Sequence, residues 1–508
     1  MGFSLIFLIC LLVGLILFCI GVELYNKLSE TARLINLIPG PPTVPILGNA
    51  TDIIDNPIGI FDKLRKWSKQ YYPVYKLWSS NAFYGIMICA PEDMQTILSN
   101  TKHNEKSQIY WLFHDWLGEG LLTSNFEKWQ HRRKIITPTF HFNILKRYIS
   151  VFNKHSKGFV EDIKSDSNKE IDILPHIHKS SLHTIAEAAM GTSLEDAASE
   201  KKYRNAIHRM GEITVYRLLR PWFYFYIVSL FTHHFYEERF LLRYLKNFTK
   251  KVIDEREKTF KDSDITDAQQ DADSDTDAYG TKKKRLAMLD LLLSAKNKGE
   301  ITYDGIREEV DTFMFEGHDT ISMALQFMLL LLANHPQEQQ KLYEEVSAIL
   351  DDNRDPTYED LHQMNYMELV IKESLRLYPS VPLISRLNGE EFTASSGHRI
   401  PVGSVLIMNI YDTHRLEHIY PEPDKFIPER FTVENSKDRH PYAYLPFSAG
   451  SRNCIGQKYA MLNMKCKLAA IVKSFVLLPV DTPESITLMA DIILRTKEGI
   501  KIKVKARK

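Results

Sequence analysis

Residues 446–456 read Pro446-Phe447-Ser448-Ala449-Gly450-Ser451-Arg452-Asn453-Cys454-Ile455-Gly456, a single cysteine in a loop flanked by two glycines. Small residues on both sides let a large flat group approach the backbone closely. An aromatic ring can shield a sulfur, and an arginine can pair with an anion. A thiolate held by backbone N–H groups beneath a flat anionic partner is what ligation of a porphyrin iron requires. Two other readings compete. One is a structural cysteine buried in a glycine-rich turn. The other is a phosphate loop, which is weakened because Gln457-Lys458 stands where such a loop ends in Gly-Lys-Ser/Thr.

Upstream, residues 303–334 contain no proline and Pro336 closes the run, which predicts a long helix. Its middle reads Asp311-Thr-Phe-Met-Phe-Glu316-Gly317-His318-Asp319-Thr320. A glycine within a helix costs about 1 kcal/mol relative to alanine. Beside an acid and a hydroxyl, Gly317 predicts a widened turn where a ligand comes near. A carboxylate next to a hydroxyl, Asp319 and Thr320, can hold a short water chain for proton delivery. The apolar neighbours Phe313, Met314, Phe315, Met323 and Leu325 argue against a merely solvated polar face.

The spacing Phe447-x-x-Gly450-x-Arg452-x-Cys454-x-Gly456 fixes five positions in ten and resembles the haem-binding loop of the cytochromes P450. The resemblance implies haem b with Cys454 as its axial thiolate. It matches Gly317, Asp319 and Thr320 to the family's oxygen-activation segment, with Asp319 and Thr320 as catalytic residues. The string Glu316-Gly-His-Asp-Thr320 is similar to family 4, including its insect members, which act mainly on fatty acids. In many of these the glutamate forms an ester with a haem methyl, which is carried here to Glu316. Ile321 stands where a second threonine is frequent, which bears on pocket polarity. Trp129-x-x-x-Arg133, which without the resemblance reads as a surface tryptophan with a stacked arginine, matches the pair that meets the haem propionates. Arg386, in Val381-Pro-Leu-Ile-Ser-Arg386, matches a further propionate contact. Glu373-x-x-Arg376 and Arg430, in Pro423-Asp-Lys-Phe-Ile-Pro-Glu-Arg430-Phe431, match a buried charged triad needed for haem incorporation. Such a triad would rigidify the support of the thiolate.

The remaining sequence organises around these motifs. Residues 3–22 carry no charge, and twenty helical residues span about 30 Å, one hydrocarbon core. No basic side chain precedes them, which favours an uncleaved anchor over a signal peptide. Glu23 and Glu30 offset Lys27 and Arg33, so the flanking charges do not set orientation. Prolines at 39, 41, 42 and 45 predict a semi-rigid spacer similar to the P450 hinge. An amphipathic helix is expected at 57–71, short strands within 74–90, and several helices through 141–260. The aromatic run Arg220-Pro-Trp-Phe-Tyr-Phe-Tyr-Ile-Val228 reads equally as membrane-touching lid or as core. Residues 262–285, acidic and then basic, read as a disordered loop. A hairpin is expected across 398–410, and Ile500–Lys505 alternates as a strand with one wet face. The expected class is mainly α with a small β region, in the P450 fold preceded by one transmembrane helix. The divisions are an anchor at 1–24, a linker at 25–49 and a catalytic domain at 50–508.

Lys+Arg (64) equals Asp+Glu (64), which gives no footing for a nucleic-acid partner. Five scattered cysteines form no disulfide framework and no CxxC pair. No dinucleotide fingerprint is present, so NADPH would serve through a separate protein. The resemblance implies a monooxygenase of the endoplasmic reticulum membrane with a cytosolic catalytic domain and a lipophilic substrate. Its electron donor would be NADPH–cytochrome P450 reductase, with cytochrome b5 as a further candidate. Lys128, Arg132, Lys134, Lys458 and Lys465 are candidates for steering that partner. The competing functions are a P450-fold isomerase or dehydratase of lipid peroxides and a non-catalytic haem or lipid binder.

Overall fold

The computed structural model describes residues 2–44, 47–78, 84–194, 196–224, 226–261, 287–350 and 354–507. The acidic loop expected at 262–285 lies outside these residues. A helix runs over Gly2–Leu28 and a second over Glu30–Leu37, capped by the Ser29 hydroxyl. Ala32, Leu34 and Ile35 of the second helix are buried, so part of the expected linker already packs on the catalytic body. Among the described residues no helix is long and apolar enough to cross a membrane. The proline segment that follows is pinned by Asn49. Its buried amide nitrogen donates to the carbonyls of Pro41 and Pro42 at 3.3 and 3.0 Å, and its oxygen accepts from Trp78 N at 2.9 Å.

Helices form most of the body, as the 3.6-residue periodicity implies. The long central helix is Tyr303–Asn334, with Thr302 Oγ1 accepting from Gly305 N at the start and Pro336 opening the next helix. Nearly every side of it is buried, which explains the near-continuous apolar run after Thr320. It packs along helix Leu174–Ala189, while helix Gln457–Ser474, directly after the cysteine loop, packs along Phe142–Lys164. A Cβ at Gly317 would meet Ile185 Cδ1 at 2.6 Å, and the α-helix continues unbroken through this position. Gly317 is therefore explained by close helix–helix approach, not by the widened turn expected from sequence.

The main sheet orders strands Val74–Trp78, Tyr84–Ile88, Val405–Asn409 and Leu383–Leu387. Its pairings are antiparallel, parallel and antiparallel, with Arg386 opposite Leu406. The hairpin expected across 398–410 does not form. Arg399–Ile400 pairs back to Phe392–Thr393, and Val405–Asn409 crosses into the main sheet. Its run Val-Leu-Ile-Met suits a strand buried on both faces, which an exposed hairpin could not offer. Lys501–Ala506 sits between Phe475–Pro479 and Glu170–Asp172, burying Ile502 and Val504 as the alternation predicts.

Candidate active site

The Cys454 loop is shaped by its own backbone and by a neighbouring helix. Cys454 N donates to Phe447 O at 2.9 Å, closing the loop. Gly450 has φ +73°, and a side chain there would collide with the Leu98 carbonyl; only glycine meets both demands. Arg133 grips the loop from helix Phe126–Ile136, donating through Nη1 and Nη2 to Asn453 O and Oδ1, each at 2.9 Å. Arg452 Nη2 donates to Ser124 O at 2.9 Å, and its guanidinium lies 4.8 Å over the buried Trp129 ring. The two members of the Trp129/Arg133 pair thus serve different parts of the loop.

Cys454, Phe447, Gly456, Arg133, Arg386, Arg452 and Trp129 all line one large, mostly apolar cavity of about 490 Å³. Cys454 is an exposed residue, but the surface it exposes faces this cavity inside the protein. Burial, reinforced by Glu316, pushes its thiol up to about 11. A cation bound at sulfur would be needed to hold the thiolate there near neutral pH. Glu316, Gly317, Thr320, Ile321 and Ala324 of the central helix line the same cavity. Burial pushes the Glu316 carboxyl up to about 7. Thr320 Oγ1 donates to Glu316 O at 2.7 Å, and Thr320 O accepts from Ser380 Oγ at 2.8 Å.

Asp319 turns away from Thr320. Its carboxylate pairs with Arg495 (Nη2–Oδ2, 2.6 Å) and stands 3.2 Å from His178 Nε2. Arg495 also holds Asp491, Nε–Oδ2 2.8 Å. Burial opposes ionisation of Asp319, but Arg495 and His178 overcome it and hold the carboxyl well below the usual carboxylate range. No motif marks Arg495 or His178, each far from residue 319 in the chain.

Behind the loop, Glu373 and Arg376 are fully buried and doubly bonded, Nε–Oε2 2.7 Å and Nη2–Oε1 2.8 Å. The remaining Arg376 donors meet His414 O, Pro423 O and Lys425 O. Arg430 Nε approaches Glu373 Oε1 at 3.3 Å, and Ile427 N donates to the same oxygen at 3.0 Å. His414 was not singled out by sequence. It joins this cluster to the cysteine loop, with Nδ1 3.2 Å from Arg376 O and Nε2 2.8 Å from Leu445 N.

The proposed basic face is thinner than its sequence suggests. Arg132 is buried against Glu308, Lys128 pairs with Glu119 and Glu308, and Lys465 is buried on Leu361 O, Met364 O and Glu368. Lys134 and Lys458 remain exposed.

The donor set fits haem. A single soft ligand opens into a large apolar cavity, and Arg386, Arg452 and Lys106 gather on its wall. Arg452 Nη1 is buried with no protein partner, as a propionate contact requires. A family profile described as Cytochrome P450 matches residues 38–504. The chain is 37% identical to "Cytochrome P450 4c3" of Drosophila melanogaster over 96% of this chain and 93% of that protein. It is 36% identical to "Cytochrome P450 4c21" of Blattella germanica over 97% of this chain and 98% of that protein. It is 37% identical to "Cytochrome P450 4V2" of Mus musculus over 96% of this chain and 93% of that protein. Cysteine loop, cavity and relatives agree: the chain belongs to the cytochrome P450 family, whose members are haem-thiolate oxidoreductases.

Proposed function

We propose that Cys454 is the axial ligand of a haem b and that the protein inserts one oxygen atom of O2 into a C–H bond of a lipophilic, fatty-acid-like substrate. One observation carries this reading: Cys454 lines a cavity shared with Glu316 and Thr320. Haem bound there would supply oxygen activation, which a thiolate ligand favours. The chain's own residues position and protect. Phe447 and the loop backbone shield the sulfur, and Arg386 and Arg452 hold the anionic edge. The apolar wall excludes water and accepts the substrate.

Thr320 lines the cavity with its hydroxyl bonded back to Glu316 O, and Asp319, once it leaves Arg495, takes up a proton from water and relays it toward the cavity. Glu316, about half protonated near neutral pH, is the group placed to form an ester with the porphyrin. Pigment that stays with the polypeptide through acid-acetone extraction would support that bond. Glu373, Arg376 and Arg430 are structural, needed for haem incorporation. Electrons would come from NADPH through a separate reductase at the face carrying Lys134 and Lys458. Residues 1–24 would be the anchor, and residues 50–508 the catalytic domain.

The test is Cys454→Ser in enzyme reconstituted with NADPH–cytochrome P450 reductase. Loss of the thiolate-type ferrous carbon-monoxide band together with turnover is expected; retention of both would sink the reading. Product position is read by mass spectrometry. A second reading gains from the sequestration of Asp319: a lipid-peroxide isomerase needs no proton delivery. Turnover without NADPH would favour it.

A further inference from the structure

Thr320 lines the central cavity, but Asp319 does not. The Asp319 carboxylate, 2% exposed, meets helix Leu174–Ala189 through His178 and the C-terminal hairpin Leu488–Met489/Arg495–Thr496 through Arg495. Arg495 cannot be the source of a proton. A guanidinium keeps its protons throughout the accessible pH range, and, against the effect of burial, Asp319 and Asp491 hold this one higher still. His178 is different, because an imidazole takes up and gives up a proton near neutral pH. Its Nε2 faces Asp319 Oδ1 at 3.2 Å; both atoms are buried, and neither has another hydrogen-bond partner among the described residues. The ring is not sealed, since the His178 side chain keeps 15% of its surface exposed. One edge of the ring therefore looks at Asp319 and another at solvent.

The charges around the ring set how readily it loads. The central helix brings Asp319 and His318, whose ring centre lies 5.9 Å away; the hairpin brings Arg495, and helix Ala197–Leu218 brings Arg204. Strand Glu170–Asp172 brings Asp172, which also feels His176. His318 is committed elsewhere, with Nδ1 2.6 Å from Met314 O. Burial, with Arg495 and Arg204, lowers the pKa of His178 against the pull of Asp319. Near pH 7 the ring is therefore mostly neutral and charges only in passing. A group that held its proton tightly could not pass it on.

We propose that His178 is the proton inlet of this site, taking protons from water and passing them to Asp319. In the transfer the Nε2–H bond breaks and an O–H bond forms on Asp319 Oδ1, so imidazolium and carboxylate become imidazole and carboxylic acid. The neutral ring takes its next proton from water at its exposed edge. Transfer accompanies release from Arg495, because a neutral carboxyl loses the charge-assisted bond to the guanidinium. His178 touches neither substrate nor cofactor and acts through Asp319, so it is a positioning residue. The proposal rests on the monooxygenase reading above, because that reaction calls for proton delivery.

The test uses full-length holoenzyme reconstituted with NADPH–cytochrome P450 reductase, as wild type and as His178→Gln. Glutamine can still hydrogen-bond Asp319 but cannot relay a proton. Product formation is measured with NADPH and, separately, with an organic hydroperoxide, which delivers oxygen already protonated and bypasses the inlet. NADPH-supported turnover should fall about tenfold, less than the roughly hundredfold of a donor at the reacting atoms, because His178 acts through Asp319. Hydroperoxide-supported turnover should stay as in wild type. In wild type the NADPH-supported rate should fall as pH rises from about 6.5 to about 8.5, as the protonated ring becomes scarcer, and this slope should vanish in His178→Gln. Peptide mapping after diethyl pyrocarbonate treatment gives a reading independent of turnover: His178 should be modified in the folded holoenzyme. An unmodified His178, an unchanged NADPH-supported rate and pH slope in His178→Gln, or an equal loss with hydroperoxide would each overturn the proposal. His178→Asn takes over if the glutamine variant does not accumulate. A thiolate-type carbon-monoxide band in His178→Gln keeps the Cys454 reading intact whatever its turnover. Persistence of that band in Cys454→Ser would remove the Cys454 reading instead.

Discussion

His414 shows what a single side chain contributes to the loop. Its Nδ1 donates to Arg376 O and its Nε2 accepts from Leu445 N, which requires the neutral ring with its proton on Nδ1. Burial, and then the Arg376 charge, push its pKa down to about 3. The unfolded ring titrates near 6.5, so between about pH 6.5 and 3 the unfolded chain binds the extra proton. The stability from His414 is complete above that window and is lost as pH falls through it. Replacing it with Phe leaves Leu445 N without its acceptor, at a cost of about 1–3 kcal/mol. His414→Phe should lower haem content at pH 7 and flatten the acid limb of haem retention, read by absorbance across pH 7 to 4. An unchanged acid limb would mean that His414 is a passive filler. Glu373→Gln tests the same support from the other side. Arg376 would keep its charge in a fully buried site, costing about 3–5 kcal/mol in denaturant unfolding. Glu373 and Arg376 could be read from sequence because a helix places i and i+3 together. A lone histidine in Tyr411-Asp-Thr-His414-Arg offers no such spacing, and its partners lie more than thirty residues away on both sides.

The central helix carries more charge inside than its apolar run suggests. Glu309 is fully buried; it accepts from Leu121 N at 3.0 Å and stands 3.9 Å from Arg132 Nε. Burial pushes its carboxyl up to about 8, and Asp311 likewise to about 7. For Glu309 the folded chain binds the extra proton between its ordinary value of 4.5 and about 8, so its contribution is present at low pH and is lost as pH rises. Glutamine mimics the protonated form and keeps the acceptor for Leu121. Glu309→Gln should therefore raise Tm at pH 8.5 by about 1–2 °C and change it little at pH 5, roughly what 1–2 kcal/mol provides in a chain this long. Equal shifts at both pH values would show that Glu309 is ionised throughout. The helix ends were legible because Thr302 and Pro336 are explicit start and stop signals. Asp319 was placed on the right element but its direction was not legible. The partner that turns it, Arg495, comes from a C-terminal hairpin with two residues per strand, too short to show periodicity. The 398–410 segment failed for a related reason. A turn signal says that the chain reverses, not which strand receives it.

Across the whole molecule, the apolar surface left uncovered is unevenly placed. Leu11, Leu12, Ile16, Leu17 and Phe18 of the first helix are exposed, and so are Ile227, Phe231, Tyr236 and Phe240 in and after the aromatic run. The aromatic run that sequence left between core and membrane is divided: Phe223 is buried, whereas Trp222, Ile227 and Val228 are exposed. Arg209 bonds Glu237 at 2.6 and 2.9 Å and Arg217 bonds Glu238 at 2.6 Å, so Ala197–Leu218 and His233–Thr259 hold this patch between them. The anchoring proposed above predicts that both surfaces meet the same bilayer. Burying one large apolar side chain is worth about 1.5–3 kcal/mol, so Phe231 and Phe240 suffice for weak, reversible binding. Removal of residues 2–28 should therefore leave measurable sedimentation with phosphatidylcholine vesicles, and Phe231→Ser with Phe240→Ser in that background should abolish it. Full release by the truncation alone would leave the Phe231/Phe240 patch with no membrane role. Two N-glycosylation sequons, Asn49-Ala-Thr51 and Asn247-Phe-Thr249, report the side of the membrane unequally. Asn49 is buried and bonded at both ends of its amide, so it stays without sugar on either side. Asn247 is exposed, and glycan found there in microsomes would place the catalytic body in the lumen. Its absence is the outcome expected of a cytosolic body that receives electrons from a reductase.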